Sequence, residues 1–222
     1  LVLSILILAS IFVISLLSPT ETKQHKTELS SRPLNKIIKQ PIFIIAVCSG
    51  AIAYSVMSYI MTAAPLSMHE IEGHDLHNTK WVIQSHIFAM FLPSLFSGML
   101  INRFGPQKLM LVGLSFYLIC IVLTLQGQAV MHYWGGLVFL GLGWNFLFVS
   151  GTVLLPQSYQ NDERFKVQGF NDFFVFGFQA LASISSGVVI FNFGWSQLVL
   201  MALPLLLLQL LVLVLWKRKA II

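Results

Sequence analysis

Long apolar runs separated by short polar breaks constrain this chain more than any single motif does. Crossing the hydrocarbon core of a bilayer takes roughly 20 mostly apolar residues, with about 17–25 tolerated. Seven stretches qualify, at 1–17, 41–66, 81–102, 108–128, 131–156, 165–192 and 195–216. In lipid every backbone amide must be satisfied within its own segment, so runs of this length predict helices. The expected fold class is an all-α membrane protein, a polytopic helical bundle. Composition excludes the water-soluble classes: 57% of the 222 residues are hydrophobic and 9% charged, against roughly 25% charged in an ordinary soluble domain.

The charges that remain are sorted by side. The connection 18–40 carries Lys23, Lys26, Arg32, Lys36 and Lys39, and the turn after the third run carries Arg103 and Lys108. Arg164 and Lys166 precede the sixth run, and Lys217, Arg218 and Lys219 follow the seventh. Twelve of the thirteen basic residues therefore share one side, and only Lys80 falls on the other, beside Glu70, Glu72 and Asp75. Basic loops are retained in the cytoplasm, so this side is expected to be cytoplasmic in the cell (inner) membrane, with the C-terminus inside. A net charge of +5 distributed in this way argues for a lipid bilayer as partner and against nucleic acid.

The first run begins at Leu1 without methionine or a basic leader, unlike a signal peptide. The expectation is that the chain starts within a longer protein. One span, a basic linker containing Pro19 and Pro33, and six spans joined by short turns give the expected layout: 1–17, 18–40 and 41–222. Cys48 and Cys120 both lie in apolar runs, which offers neither a disulfide framework nor a Cys-rich metal site.

The turn between the third and fourth runs reads "GMLINRFGPQK". Gly98 and Gly105 allow close helix approach and a sharp reversal, and Arg103 and Lys108 suit an anionic membrane face. With Asn102, these residues resemble the loop signature of the major facilitator superfamily. The pattern departs from the family at Asn102, where aspartate is the stronger form, and at Pro106 and Gln107, where basic residues are usual. The resemblance implies a secondary transporter working by alternating access. It places the last helix of an N-terminal half at 1–17 and a complete six-helix C-terminal half at 41–222. The missing N-terminal transporter half and a small-molecule substrate would be its partners.

Polar residues inside the spans are costly, roughly 2.5–3.5 kcal/mol for a charge at mid-helix, and so mark candidates. In the sixth run Gln168, Asp172, Gln179, Ser183 and Ser186 share one face at about 100° per residue. Asp172 is read either as a proton-coupling or substrate-binding carboxylate, or as a structural partner of Arg103 or Arg164. In the fifth run Asn145 stands near mid-depth on a face with Trp134, Gly141, Phe148 and Thr152. The resemblance implies that the first helix of each three-helix repeat lines the central cavity, which makes Asn145 and Trp144 substrate-contact candidates. Bonding between helices is the equal alternative for Asn145. Tyr54, on a second-run stripe with Met57, Ser58 and Met61 for which helix packing is the leading reading, and Gln179 complete the candidate substrate contacts, and His86 is a second proton-coupling candidate beside a structural reading.

The outer loop "MHEIEGHDLH" spaces His69 and His74 five apart across Gly73. A metalloprotease helix needs histidines at i and i+4, so a hydrated acidic loop is expected, with no metal and no cofactor. No phosphate-cradling glycine loop is present, and no enzymatic activity is expected. A seven-helix receptor or sensor is the alternative of a different class, since it shares the outside start and inside end. A membrane metalloenzyme using the His69–His77 loop is the third.

Overall fold

A computed structural model describes residues 8, 10–13, 15 and 31–219, and the chain divides into two units, 1–30 and 31–222. The described residues of the first unit are helical, with the Ser15 hydroxyl donating to the Phe12 carbonyl at 2.7 Å. Most of the predicted first span, and linker residues 18–30 with Lys23 and Lys26, lie outside the described residues.

The second unit is all-α, with no strand among the described residues. A short α1 (Leu34–Ile37) leads into α2 (Pro41–Pro65). Then come a bent pair, α3 (Leu76–Phe91) and α4 (Ser94–Phe104), followed by α5 (Pro106–Leu125) and α6 (Val130–Leu154). The chain ends with α7 (Arg164–Leu200) and α8 (Leu203–Lys219). Among the described residues four stretches are long and apolar enough to cross a membrane, five if the bent pair counts as one. The protein is a multi-pass membrane protein.

Helix α2 is the centre of the unit and packs against α6, α7 and α8. Pro41 opens it at the first helical turn, where its missing N–H costs no hydrogen bond. Beyond Pro65 the chain widens into a π-helix, Leu66–Ile71, and the Ser67 hydroxyl bonds the Tyr133 hydroxyl at 2.7 Å. Helices α5 and α6 approach through reciprocal glycines. A Cβ on Gly113 would stand 3.0 Å from the Gly143 carbonyl oxygen, and one on Gly143 would stand 3.0 Å from that of Gly113.

Three expectations need correction. The third span is not one straight helix over 81–102: α3 and α4 meet at 41° across Leu92–Pro93. Pro93 has no N–H to continue the ladder, which is where a helix of this composition bends. Gly98 does not mediate a close helix approach within this unit, because a Cβ there would meet open space. Gly105 does make the reversal, with φ of 82°, and Pro106 starts α5 directly after it. The outer loop is more ordered than a hydrated loop: His69 Nδ1 bonds the His74 carbonyl at 2.9 Å, His74 Nε2 bonds the Gln128 carbonyl at 2.7 Å, and Asp75 caps α3. Among the described residues no three His, Cys, Asp or Glu side chains form a group able to hold a metal.

The run Asn161–Trp216 is 56 residues long, about 84 Å of helix at 1.5 Å per residue and far more than one crossing needs. Gly194 breaks it with φ of 77°, a backbone state open to glycine. The contacts beyond Gly194 run back along α2. Trp195 packs on Tyr133 at 4.9 Å, Tyr59 bonds the Met201 sulfur at 3.8 Å, and Gln209 donates to the Ser49 hydroxyl at 2.7 Å. The sixth and seventh predicted spans are therefore antiparallel arms about Gly194, the second of them interrupted at Met201–Ala202.

Candidate functional site

Five aromatic rings from four helices meet near mid-depth. Tyr54, near the middle of α2, is the hub. Its ring stands edge-on to Trp144 at 5.2 Å, to Phe148 at 5.0 Å and to Phe176 at 5.6 Å. Trp144, near the middle of α6, stacks on Phe148 at 5.1 Å with planes 15° apart. Phe91, the last residue of α3, stands edge-on to Trp144 at 5.9 Å. Edge-to-face and offset contacts of this kind each add about 0.5–1.5 kcal/mol beyond area burial, so the cluster holds its own geometry. Trp144 is 4% exposed, while Phe91 is 59% and Phe176 52% exposed. The cluster thus has a closed floor and two rings offered outward. The indole N–H of Trp144 is buried without an acceptor among the described residues.

Asn145, next to Trp144, points the other way chemically. It is fully buried; its Nδ2 donates to the Met90 carbonyl at 2.7 Å and to Ser94 Oγ at 2.6 Å, and its Oδ1 accepts from Ser97 Oγ at 2.9 Å. These partners straddle the bend at Leu92–Pro93, where the helical ladder is interrupted. The amide of Asn145 takes up a carbonyl at that break and ties α6 to both arms of the bent pair.

His86 is fully buried on α3, with Nδ1 2.7 Å from the Leu137 carbonyl. That contact requires Nδ1 to carry the proton, leaving Nε2 as a buried lone pair with no partner among the described residues. Directly below, α3 presses on Gly141, where a Cβ would lie 2.8 Å from the His86 carbonyl oxygen.

The polar face of α7 divides into two parts. Ser183 bonds the Thr62 hydroxyl at 2.9 Å, and Gln168 donates to the Tyr159 hydroxyl at 3.0 Å, so both serve packing. Asp172 is exposed and accepts from Asn171 at 3.0 Å; Gln179 is half-buried. Asp172, Phe176 and Gln179 share one face of α7, with Asp172 one turn, about 6 Å, from Phe176. The expected pairing of Asp172 with Arg103 or Arg164 is absent. Arg164 instead bonds Gln168 at 3.3 Å, and the Arg103 guanidinium lies 5.3 Å over the Phe104 ring. Asn102 and Lys108 stand on either side of the Gly105 turn with Arg103.

Sequence reasoning missed a second polar centre, at the basic end. The buried Glu163 carboxylate accepts from Arg32 three times: from the backbone N–H at 2.9 Å, from Nε at 2.8 Å and from Nη2 at 2.6 Å. Arg32 and Gln40 also donate to the Ser158 carbonyl, at 3.2 and 3.1 Å, and Lys166 bonds the Arg32 carbonyl. Glu163 lies in the connection before the sixth predicted span. Its hydrogen bonds from the Arg32 side chain, aided by the Gln160 and Arg32 backbone N–H groups, hold its carboxyl down to about 2, and Glu163 in turn raises Arg32. The signal available was an adjacent acidic pair, Asp162–Glu163, on a side whose other charges are twelve basic residues with Glu21 and Glu28.

Residues 46–220 match the family described as the Major Facilitator Superfamily. The chain belongs to the major facilitator superfamily. A riboflavin transporter, RfnT, of Brucella anthropi is 40% identical over 186 residues, covering 84% of this chain and 46% of the relative. An uncharacterised transporter of the superfamily, YdeG, from Bacillus subtilis is 34% identical over 165 residues, 73% of this chain and 38% of the relative. The riboflavin transporter RibZ of Clostridioides difficile is 18% identical over 164 residues, 74% of this chain and 36% of the relative. The chain thus spans less than half the length of these relatives. Membership of this superfamily, a family of membrane transporters, counts against the receptor reading.

Proposed function

We propose that this superfamily member forms the C-terminal bundle of a proton-coupled secondary transporter whose solute is a planar aromatic ring system of the flavin type. In this reading 1–17 is the last helix of an N-terminal half, 18–40 is the cytoplasmic linker and 41–222 is the bundle. The transporter lies in the inner membrane with its basic end and C-terminus in the cytoplasm. The observation that carries the reading is the aromatic wall built on Tyr54. A flat conjugated solute gains about 1–3 kcal/mol per ring it stacks on, and Phe91 and Phe176 are the rings accessible to it. Trp144 supplies the floor, and Gln179 supplies hydrogen-bonding capacity three residues beyond Phe176. The riboflavin transport named for two relatives supports the same class of solute.

Asn145 acts in this reading through α3 and α4, fixing the bend that positions Phe91. Proton coupling falls to Asp172, on the face of α7 that bears Phe176, and to His86, whose Nε2 can accept a proton. Midplane sites between two repeats serve alternating access, in which one bundle rocks against the other around a fixed site. The test is uptake of riboflavin and of a panel of aliphatic solutes into vesicles containing the full-length transporter, with and without a pH gradient. Saturable, gradient-stimulated uptake confined to planar aromatic solutes is the expected result. Uptake of the aliphatic panel but not of riboflavin would overturn the assignment.

A further inference from the structure

At the basic end of the bundle, Lys39 from the turn before α2 and Pro41 and Ile44 from its first turn face Val212, Leu215 and Trp216 from the end of α8 across a groove of about 160 Å³. This groove lies apart from the aromatic wall and takes no part in the transport reading. Ligand pockets for whole solutes run to roughly 300–1,000 Å³, so this one is too small for a transported molecule. Its chemistry is split along its length. Ile44, Val212 and Leu215 give an apolar floor, while Lys39 stands exposed at the mouth with no hydrogen bond or ion pair among the described residues.

We propose that this groove is a binding site for an anionic phospholipid, with an acyl chain lying on Ile44, Val212 and Leu215 and the phosphate held by Lys39. At the α2 end Lys36 and Lys39 are both exposed and make no ion pair among the described residues. Lys36 precedes Lys39 by one turn, and the chain runs on from Trp216 into Lys217, Arg218 and Lys219. Basic pockets between membrane helices are the kind of site that takes acidic headgroups. Trp216 marks the depth: indoles prefer the level of the headgroups, where one edge is apolar and the other hydrated. The inward side of the same helix is already occupied, since Gln209 reaches Ser49 and Leu213 is buried. The groove is therefore an outward feature, at the position where lipid surrounds a membrane helix. A free phosphate ion would use Lys39 but not the apolar floor.

The test uses the full-length transporter in phosphatidylcholine vesicles containing a small fraction of chain-brominated phosphatidylglycerol or, at the same fraction, chain-brominated phosphatidylcholine. Bromine quenches nearby indoles, and subtracting the signal of Trp216→Phe isolates the contribution of Trp216 among the five tryptophans. The expected result is an effective affinity about five-fold higher for the anionic probe, lost in Lys39→Gln and kept in Lys39→Arg. Since Lys39 is exposed and bonds nothing, Lys39→Gln leaves the fold intact, which an unchanged signal from the other tryptophans checks. Equal quenching by the two probes, as when linker or another protein covers the groove, would overturn the proposal. So would a preference that survives Lys39→Gln, or one abolished by inorganic phosphate in the buffer.

Discussion

Substituting Gly141 with alanine isolates the α3–α6 contact on which the site geometry depends. In an exposed helix Gly→Ala stabilises by about 1 kcal/mol, because glycine loses more backbone entropy on folding. At Gly141 the added methyl would meet three backbone atoms of α3: the His86 carbonyl oxygen at 2.8 Å, the Met90 nitrogen at 3.0 Å and the Ala89 carbonyl carbon at 3.2 Å. Backbone cannot yield by rotating a side chain, so α3 must move outward as a helix. Overpacking of this kind costs about 1–3 kcal/mol, and the outward shift also stretches the Asn145 bonds to Met90, Ser94 and Ser97, one turn along α6. The net expectation for Gly141→Ala is about 1–2 kcal/mol of destabilisation. Gly135 on the same helix is the control. Its Cβ would touch only the Leu123 Cδ1 methyl at 3.3 Å, a flexible tip that can withdraw, so Gly135→Ala should recover most of the helix gain. The two variants are then separated by roughly 2–3 kcal/mol, read as unfolding midpoints of the purified full-length protein in one detergent. A Gly141→Ala protein as stable as Gly135→Ala would refute the close α3–α6 approach and the positioning of Phe91 that rests on it.

Asn145→Leu removes an amide with three partners and leaves the Met90 carbonyl buried without a donor. A loss of about 1–3 kcal/mol is expected, visible as a lower unfolding temperature, together with weakened solute binding because the bend that carries Phe91 relaxes. The Glu163 carboxyl, ordinarily near 4.5, is held at about 2 in the folded state. A folded value below the unfolded one contributes stability that is fully present above about 4.5 and is lost as pH falls toward 2. Unfolding midpoints measured against pH should show that acid-side loss in the wild type and a flatter profile in Glu163→Gln, which is also less stable at neutral pH. Asp172→Asn should leave folding intact, since the exposed carboxylate bonds only Asn171, but should abolish the stimulation of vesicle uptake by a pH gradient. Gradient-stimulated uptake unchanged in that variant would remove Asp172 from proton coupling.

The helical membrane fold was legible in the sequence because lipid forces long apolar runs into helices, and that signal survives without any tertiary knowledge. The turn at Gly105 was legible for a similar reason, since Gly-Pro between helices has few conformations to choose from. The bend at Pro93 was equally visible as a residue, but hydropathy over 81–102 is continuous, and hydropathy alone does not register a lost N–H. The sixth and seventh runs were read as separate from their hydropathy, and the chain reverses between them at Gly194, the marker the sequence offered. Site residues fared differently because their roles are pairwise. Asn145 and Trp144 are neighbours in sequence, yet one turns its amide into the bent pair and the other stacks its ring toward Tyr54. Periodicity sets the two about 100° apart on the helix but does not say which neighbour each direction meets. Phe91 and Phe176 were indistinguishable from the many other phenylalanines of the chain until four helices brought their rings together. The Arg32–Glu163 pair joins residues 131 apart, a separation across which no local pattern carries information.

Equilibrium binding of riboflavin to the purified full-length transporter, followed by loss of the flavin's own fluorescence, tests the central claim most directly. The account predicts saturable quenching by the wild type and an affinity at least about five-fold weaker in each of Tyr54→Leu and Phe176→Leu, the cost of about 1 kcal/mol or more for each ring lost from the wall. Wild-type protein that does not quench the flavin, or the two variants binding it as tightly as the wild type, would contradict the account.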